Sequence, residues 1–371
     1  MRQSTIHSFS ILMITGILSC CFTKTEGRRL SSIRRMYTPT NSKPDTVNQN
    51  QSSPNGTEGC HKSRLYAGTA VDKPYLYDNQ EYIKIVKKDF KFMTPGNVMK
   101  WDATEKTQGN FTFADADAVV KFAKDNKKKV RGHTAVWHQQ YSKYLEQLDP
   151  PALITATQNH IKTVLQHYKN DLYSFDVCNE VVGDDGNLRD SFWFKKLGDS
   201  YIEMAFQAAI DAGTKIKLYI NDYGVEGPGA KTDTYYKIAQ NLASKQILHG
   251  VGFQAHLIVG KVPSLEDLKA TLKRFVDLGL EVAYTEVDIR IPLPPSQSDF
   301  IQQAKDFSTI VRACAETPKC KGVTVWGVGY NDSWVPGFYH NYGDALLFDD
   351  NYKPTLAFTS FENALKGNYT Q

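Results

Sequence analysis

Two glutamates stand at the ends of apolar runs. Glu180 closes Phe175-Asp176-Val177-Cys178-Asn179-Glu180, and Glu286 closes the first part of Val282-Ala283-Tyr284-Thr285-Glu286-Val287-Asp288-Ile289. Runs rich in β-branched and aromatic residues favour strands, and a carboxylate at the end of a buried strand is delivered to the rim of a sheet or barrel. Two carboxylates on a rigid frame can divide labour: one protonates a leaving group while the other attacks carbon or activates water. That pair is the minimum equipment for breaking a glycosidic bond. Either glutamate alone reads as a solvated strand-end carboxylate, so the reading depends on what converges with it.

The elements that would position them recur along the chain. Eight short apolar runs appear in order: Leu65–Ala70, Phe92–Thr94, Lys129–His133, Tyr173–Glu180, Lys217–Asn221, Gly252–His256, Val282–Glu286 and Gly322–Trp326. Segments of helical period lie between most of them. Examples are Ala116–Lys127, with Val119, Val120, Phe122 and Ala123 on one face, Pro151–Lys169, and Ser264–Gly279, where Ser264 can cap and Gly279 can terminate. Strand and helix alternating eight times predict an α/β fold, a (β/α)8 TIM barrel, with a doubly wound open sheet as the alternative. The runs end in His133, Glu180, Asn221, His256, Glu286 and Trp326, so polar and aromatic groups would meet on the C-terminal rim, the active-site face of such barrels.

The whole chain has 371 residues, 41% of them hydrophobic, enough for one large core. Its net charge of +4 lies in residues 1–60, which hold seven basic and three acidic residues and leave 37 of each sign beyond. A neutral main domain has no electrostatic footprint for nucleic acid and suits an uncharged ligand. Arg2 and His7 precede an apolar stretch from Phe9 to Phe22, too short to span a bilayer comfortably. Residues 1–27 therefore read as a secretory signal, with no membrane attachment of the mature form. Residues 28–59 are rich in Ser, Thr, Asn, Gln and Pro and read as a disordered linker or pro-segment; the Arg28-Arg29 and Arg34-Arg35 pairs are either processing sites or solvated charge. The catalytic domain is expected over 60–371. Cys314 and Cys320 bracket the turn signal Thr317-Pro318 and are expected to form a local disulfide. Cys178 reads as a buried thiol, and Cys60 has no evident partner. Sequons at Asn50, Asn55, Asn110, Asn331 and Asn368 suit an extracellular protein, expected as a monomer.

The chain from about residue 60 to 367 resembles glycoside hydrolase family 10, the endo-1,4-β-xylanases. The resemblance rests on Met99-Lys100-Trp101-Asp102-Ala103-Thr104-Glu105, Arg131-Gly132-His133-Thr134-Ala135-Val136-Trp137-His138, Asp176-Val177-Cys178-Asn179-Glu180, Leu218-Tyr219-Ile220-Asn221-Asp222-Tyr223, Thr285-Glu286-Val287-Asp288-Ile289, Val323-Thr324-Val325-Trp326-Gly327-Val328 and Leu346-Leu347-Phe348-Asp349. It implies Glu180 as acid/base and Glu286 as nucleophile of a retaining mechanism on xylan or xylooligosaccharides. It also implies Asn179 on a sugar 2-hydroxyl, Gln254 and His256 around the nucleophile, and Asp288 orienting His256. Lys100, His133, Trp137 and Gln140 would grip the sugar on the non-reducing side, and Asn97 would also bind substrate. Trp326 and Trp334 would line the cleft, with Tyr223 stacking on the leaving-side sugar. Trp101 and Trp193 read as core. The chemistry calls for no metal and no cofactor, and no nucleotide-binding loop appears.

Four positions depart from the family pattern: Gly96 for a usual Glu, Val98 for an acidic residue, Gly224 for Asn and Phe175 for Trp. They put substrate affinity in question and lead to the expectation that Gly96→Glu would tighten binding. Two other readings stand beside the xylanase: a relative shifted to another β-linked glycoside or glucan, and a non-catalytic glycan-binding protein that kept the fold.

Overall fold

A computed structural model describes residues 65–370. The signal and linker readings over 1–59, and Cys60, fall outside the described residues. Eight strands form the frame: β1 (Tyr66–Val71), β2 (Phe92–Pro95), β3 (Lys129–Val136), β4 (Leu172–Asn179), β5 (Lys217–Asp222), β6 (Gly250–Phe253), β7 (Glu281–Pro292) and β8 (Cys320–Val325). Each pairs in parallel with the next. The decisive pairing is β1 with β8, Tyr66 opposite Gly322 and Thr69 opposite Val325. It closes the sheet on itself and excludes the open alternative.

Helices cover the outside: α1 (Gln80–Asp89), α2 (Ala114–Asp125), α3 (Pro150–His167), α4 (Ser200–Asp211), α5 (Ala230–Ser244), α6 (Leu265–Asp277), α7 (Gln297–Glu316) and α8 (Leu356–Leu365). Their ends follow from local chemistry. Ser264 accepts the backbone N–H of Asp267 at the start of α6, and Gly279 leaves its end with φ of +89°. Ser296 and Asp299 form a reciprocal capping box on α7. In α2, Val119, Val120, Phe122 and Ala123 are buried against the barrel, as their spacing predicts.

The interior is filled by large side chains. A Cβ built on Gly250 would lie 2.3 Å from the Tyr219 ring, so only glycine lets that ring cross to the next strand. Arg131 and Asp176, both buried, form a forked ion pair in the barrel, and the guanidinium lies 4.5 Å from the Tyr219 ring centre. Cys178 is a buried free thiol, and Cys314 and Cys320 are disulfide-bonded. Trp101 and Trp193 are 1% exposed, core residues as expected.

Three details differ from the sequence reading. His133 does not end its strand, since β3 runs on to Val136. Glu286 does not end its strand: β7 runs on to Pro292, pairing beyond the rim with a short strand, His256–Ile258, and with Tyr342–Gly343. Gln254 and His256 do not share one strand either. β6 stops at Phe253, and Ala255 between them turns with φ of +61°.

Candidate active site

Glu180 follows β4 with φ of +56°, a left-handed conformation that costs a non-glycine residue energy and concentrates at functional sites. Its main chain is held on both sides: its N–H donates to Asn221 O (2.8 Å), and its carbonyl accepts from Arg189 Nε (2.7 Å). Its Oε1 accepts from Gln254 Nε2 (3.1 Å) and Asn179 Nδ2 (3.3 Å). Glu286, 4% exposed, accepts from Asn221 Nδ2 at Oε1 (2.7 Å) and from His256 Nε2 at Oε2 (3.2 Å).

Amides join the two carboxylates. Asn221 Nδ2 also donates to Asn179 Oδ1 (2.8 Å), and Gln254 Nε2 donates to the same oxygen (3.2 Å). Both N–H bonds of Asn221 and of Gln254 are thereby used, and Glu180 and Glu286 stand at opposite ends of one short network. Asn221 is itself fixed, since its Oδ1 accepts from Thr285 Oγ1 (2.6 Å). Sequence reading cited Asn221 as a polar strand end but gave it no role; that strand end was the available signal. Its place beneath both glutamates depends on β5 lying beside β4, which only folding sets.

The charges follow from the partners. His256 Nδ1 lies 2.7 Å from Asp288 Oδ2, and its Nε2 faces Glu286. Both neighbours only accept, so both ring nitrogens must donate, and the ring is an imidazolium. Burial alone would lower its pKa, but Asp288 and then Glu286 outweigh burial and raise it well above the ordinary value. For Glu286, burial acts to raise the pKa. The His256 bond, the nearby His133 and His256, and the Asn221 bond override it and hold the carboxyl below its usual range. Trp334 Nε1 donates to Asp288 Oδ2 (2.8 Å) and locks the acid beneath His256. His133 is oriented by Asp176 Oδ2 (3.0 Å). His138, absent from the expected set, has Nδ1 3.6 Å from Glu180 Oε2; burial pushes it down to about 4, so near neutral pH it presents an uncharged ring.

A cleft of about 680 Å³ opens over these groups. It is lined by all thirteen expected catalytic and binding residues: Asn97, Lys100, His133, Trp137, Gln140, Asn179, Glu180, Tyr223, Gln254, His256, Glu286, Trp326 and Trp334. Lys100 Nζ donates to Gln140 Oε1 (2.7 Å) and Asn97 Oδ1 (3.0 Å) and sits 4.8 Å from the Trp137 ring centre. Buried Trp193 donates to Trp137 O (2.8 Å) and so supports that wall from the core. Tyr223 receives Arg189 Nη2 on its hydroxyl (3.0 Å), with Lys231 Nζ 3.4 Å from its ring centre.

Of the four departures, only Gly96 lines the cleft. Phe175 is buried in the barrel, Val98 packs on the core, and Gly224 lies against the Lys231 stem. A Cβ at Gly96 would meet Asp72 Oδ1 at 3.2 Å, and that carboxylate already accepts from Asn97 Nδ2 (3.2 Å). Gly96→Glu would therefore have to shift the Asp72 carboxylate by a few tenths of an ångström, a cost set against the tighter binding expected of it.

Comparison with known proteins agrees with this geometry. Residues 57–364 match the model of glycosyl hydrolase family 10. An endo-1,4-beta-xylanase of Agaricus bisporus is 42% identical over 299 residues, 80% of this chain and 89% of that one. The crystal structure of a glycosylated family 10 endo-beta-1,4-xylanase from Gloeophyllum trabeum superposes with a TM-score of 0.79 at 39% identity, covering 83% of this chain and 100% of that one. Xylanase 10B of Thermotoga petrophila, solved with xylobiose, gives 0.80 at 34% identity over 83% and 96%. The fold and its cleft define a glycoside hydrolase of the barrel class. The chain belongs to glycosyl hydrolase family 10.

Proposed function

We propose that this glycoside hydrolase is an endo-1,4-β-xylanase that cuts internal β-1,4-xylosidic bonds with retention. Glu180 serves as acid/base and Glu286 as nucleophile. The observation that carries the reading is the asymmetry of the pair: Glu286 is held ionised against His256⁺ and Asn221, while Glu180 has only amide donors and an uncharged His138. In the first step Glu286 Oε attacks the anomeric carbon as Glu180 protonates the departing sugar oxygen. In the second, Glu180 takes a proton from water, whose oxygen displaces the glutamyl ester. Asn179 is suited to a hydrogen bond with the sugar beside the acid, and the indoles of Trp326 and Trp334 to the apolar faces of pyranose rings. The endo-1,4-beta-xylanase among its relatives and the xylobiose bound to one structural neighbour support xylan as substrate. Secretion is supported by the Phe9–Phe22 run, the disulfide and exposed sequons at Asn110 and Asn368.

The test is sugar release from xylan and xylohexaose, with NMR of the first product. Wild type should yield the β-anomer first. Glu180→Ala should lose about 10²- to 10⁴-fold on unactivated substrate, and Glu286→Ala should lose turnover outright. A first-formed α-anomer, or undiminished release by Glu286→Ala, would end the assignment.

A further inference from the structure

Arg290 in the cleft wall takes no part in the carboxylate network. It stands on the outer part of β7, half-buried, with its guanidinium 4.2 Å from the Tyr339 ring centre and 5.5 Å from that of Tyr342. The one hydrogen bond of its side chain among the described residues is a long one, Nη1 to His256 O at 3.5 Å, and its Nε is shielded from water without an acceptor. Among the described residues it forms no ion pair, whereas Arg131 is forked onto Asp176. The other cleft cations are occupied. Lys100 is held by Gln140 and Asn97, and Arg189 by two carbonyls and the Tyr223 hydroxyl.

Beside Arg290 lies an apolar shelf. Phe338 is 66% exposed, 4.8 Å from Tyr339 and 5.4 Å from Trp334 between ring centres, and both Phe338 and Tyr339 line the cleft. Ring faces hold the charge of an arginine without consuming its N–H groups. A guanidinium has five such donors in a planar fork that fits a carboxylate. An open ring face beside an unspent fork matches a sugar ring that bears an acid. A neutral pentose chain would need the rings but not the cation.

We propose that Arg290, with Phe338 and Tyr339, binds the carboxylate of a uronic acid branch, so that acid-substituted xylan is favoured over neutral xylan. The proposal rests on the xylanase reading and adds the substrate class. The test compares kcat/KM on glucuronoxylan, on the same polymer with its carboxyls reduced to alcohols, and on linear xylohexaose. Wild type should lose about tenfold on carboxyl reduction, the scale of one charge-assisted bond on a half-open wall, and the preference should shrink with added salt. Arg290→Gln should lower kcat/KM on glucuronoxylan about tenfold more than on xylohexaose and become indifferent to carboxyl reduction; Arg290→Lys should recover part of the preference. These ratios do not depend on how much variant folds. Equal losses on acidic and neutral substrates would make Arg290 a structural residue and overturn the proposal, as would an active wild type indifferent to carboxyl reduction. A wild type inactive on every xylan would overturn the xylanase reading and this one with it.

Discussion

His256 joins Glu286 to Asp288. Its pKa in the fold is raised above the ordinary 6.5, so its stabilising contribution is complete below that value and is lost as pH climbs through the raised one. Glu286 is depressed below 4.5, so its contribution is present above that value and is lost as pH falls through the depressed one. The charged pair therefore outlasts both ordinary limits. His256→Asn keeps a donor but removes the charge. It should shift the acid limb of kcat/KM to higher pH and cut the rate about 10- to 100-fold, the scale of a lost hydrogen bond to a charged group. An acid limb that stays in place would show that Glu286 does not depend on the imidazolium. At this scale the roles of His256 and Asp288 came from the resemblance to family 10, while the Trp334 bond that locks Asp288 is set only when the loop after β8 folds over the rim.

Elements deliver these groups through their ends. Local rules placed α2, α3 and α6 correctly, because capping and amphipathic spacing are written in neighbouring residues. They failed at β7, whose twelve residues continue past the rim because Tyr342–Gly343 and His256–Ile258 supply distant partners. The link from α7 to β8 is tied by Cys314–Cys320, both buried. Replacing both by alanine should cost about 2–3 kcal/mol, as expected for a short closed loop. Urea unfolding under oxidising conditions would measure it, and an unchanged midpoint would mean that the surrounding packing alone holds the turn.

The whole molecule depends on closing the barrel. At the seam a Cβ on Gly322 would lie 2.3 Å from Tyr66 O, a backbone atom unable to move without shifting β1. Gly322→Ala should destabilise by at least about 1–3 kcal/mol, the scale of overpacking a core. Gly337, with open space around its Cβ direction, is the control, and Gly337→Ala should stay within about 0.5 kcal/mol. Equal unfolding midpoints for the two variants would show that the seam tolerates strain.

Alternation of strand and helix, the helix caps and the Thr317-Pro318 turn were settled by the chain alone, since each depends on residues within a turn or two of one another. Register between strands far apart in sequence was not. It set Asn221 between the two glutamates, turned His256 into the cleft through Ala255, stood Asp72 beside Gly96 and left Arg290 among aromatic rings. Each of these juxtapositions arises only once β1 and β8 meet and the loops are forced over one rim, because side-chain contact across a barrel is a property of its closure.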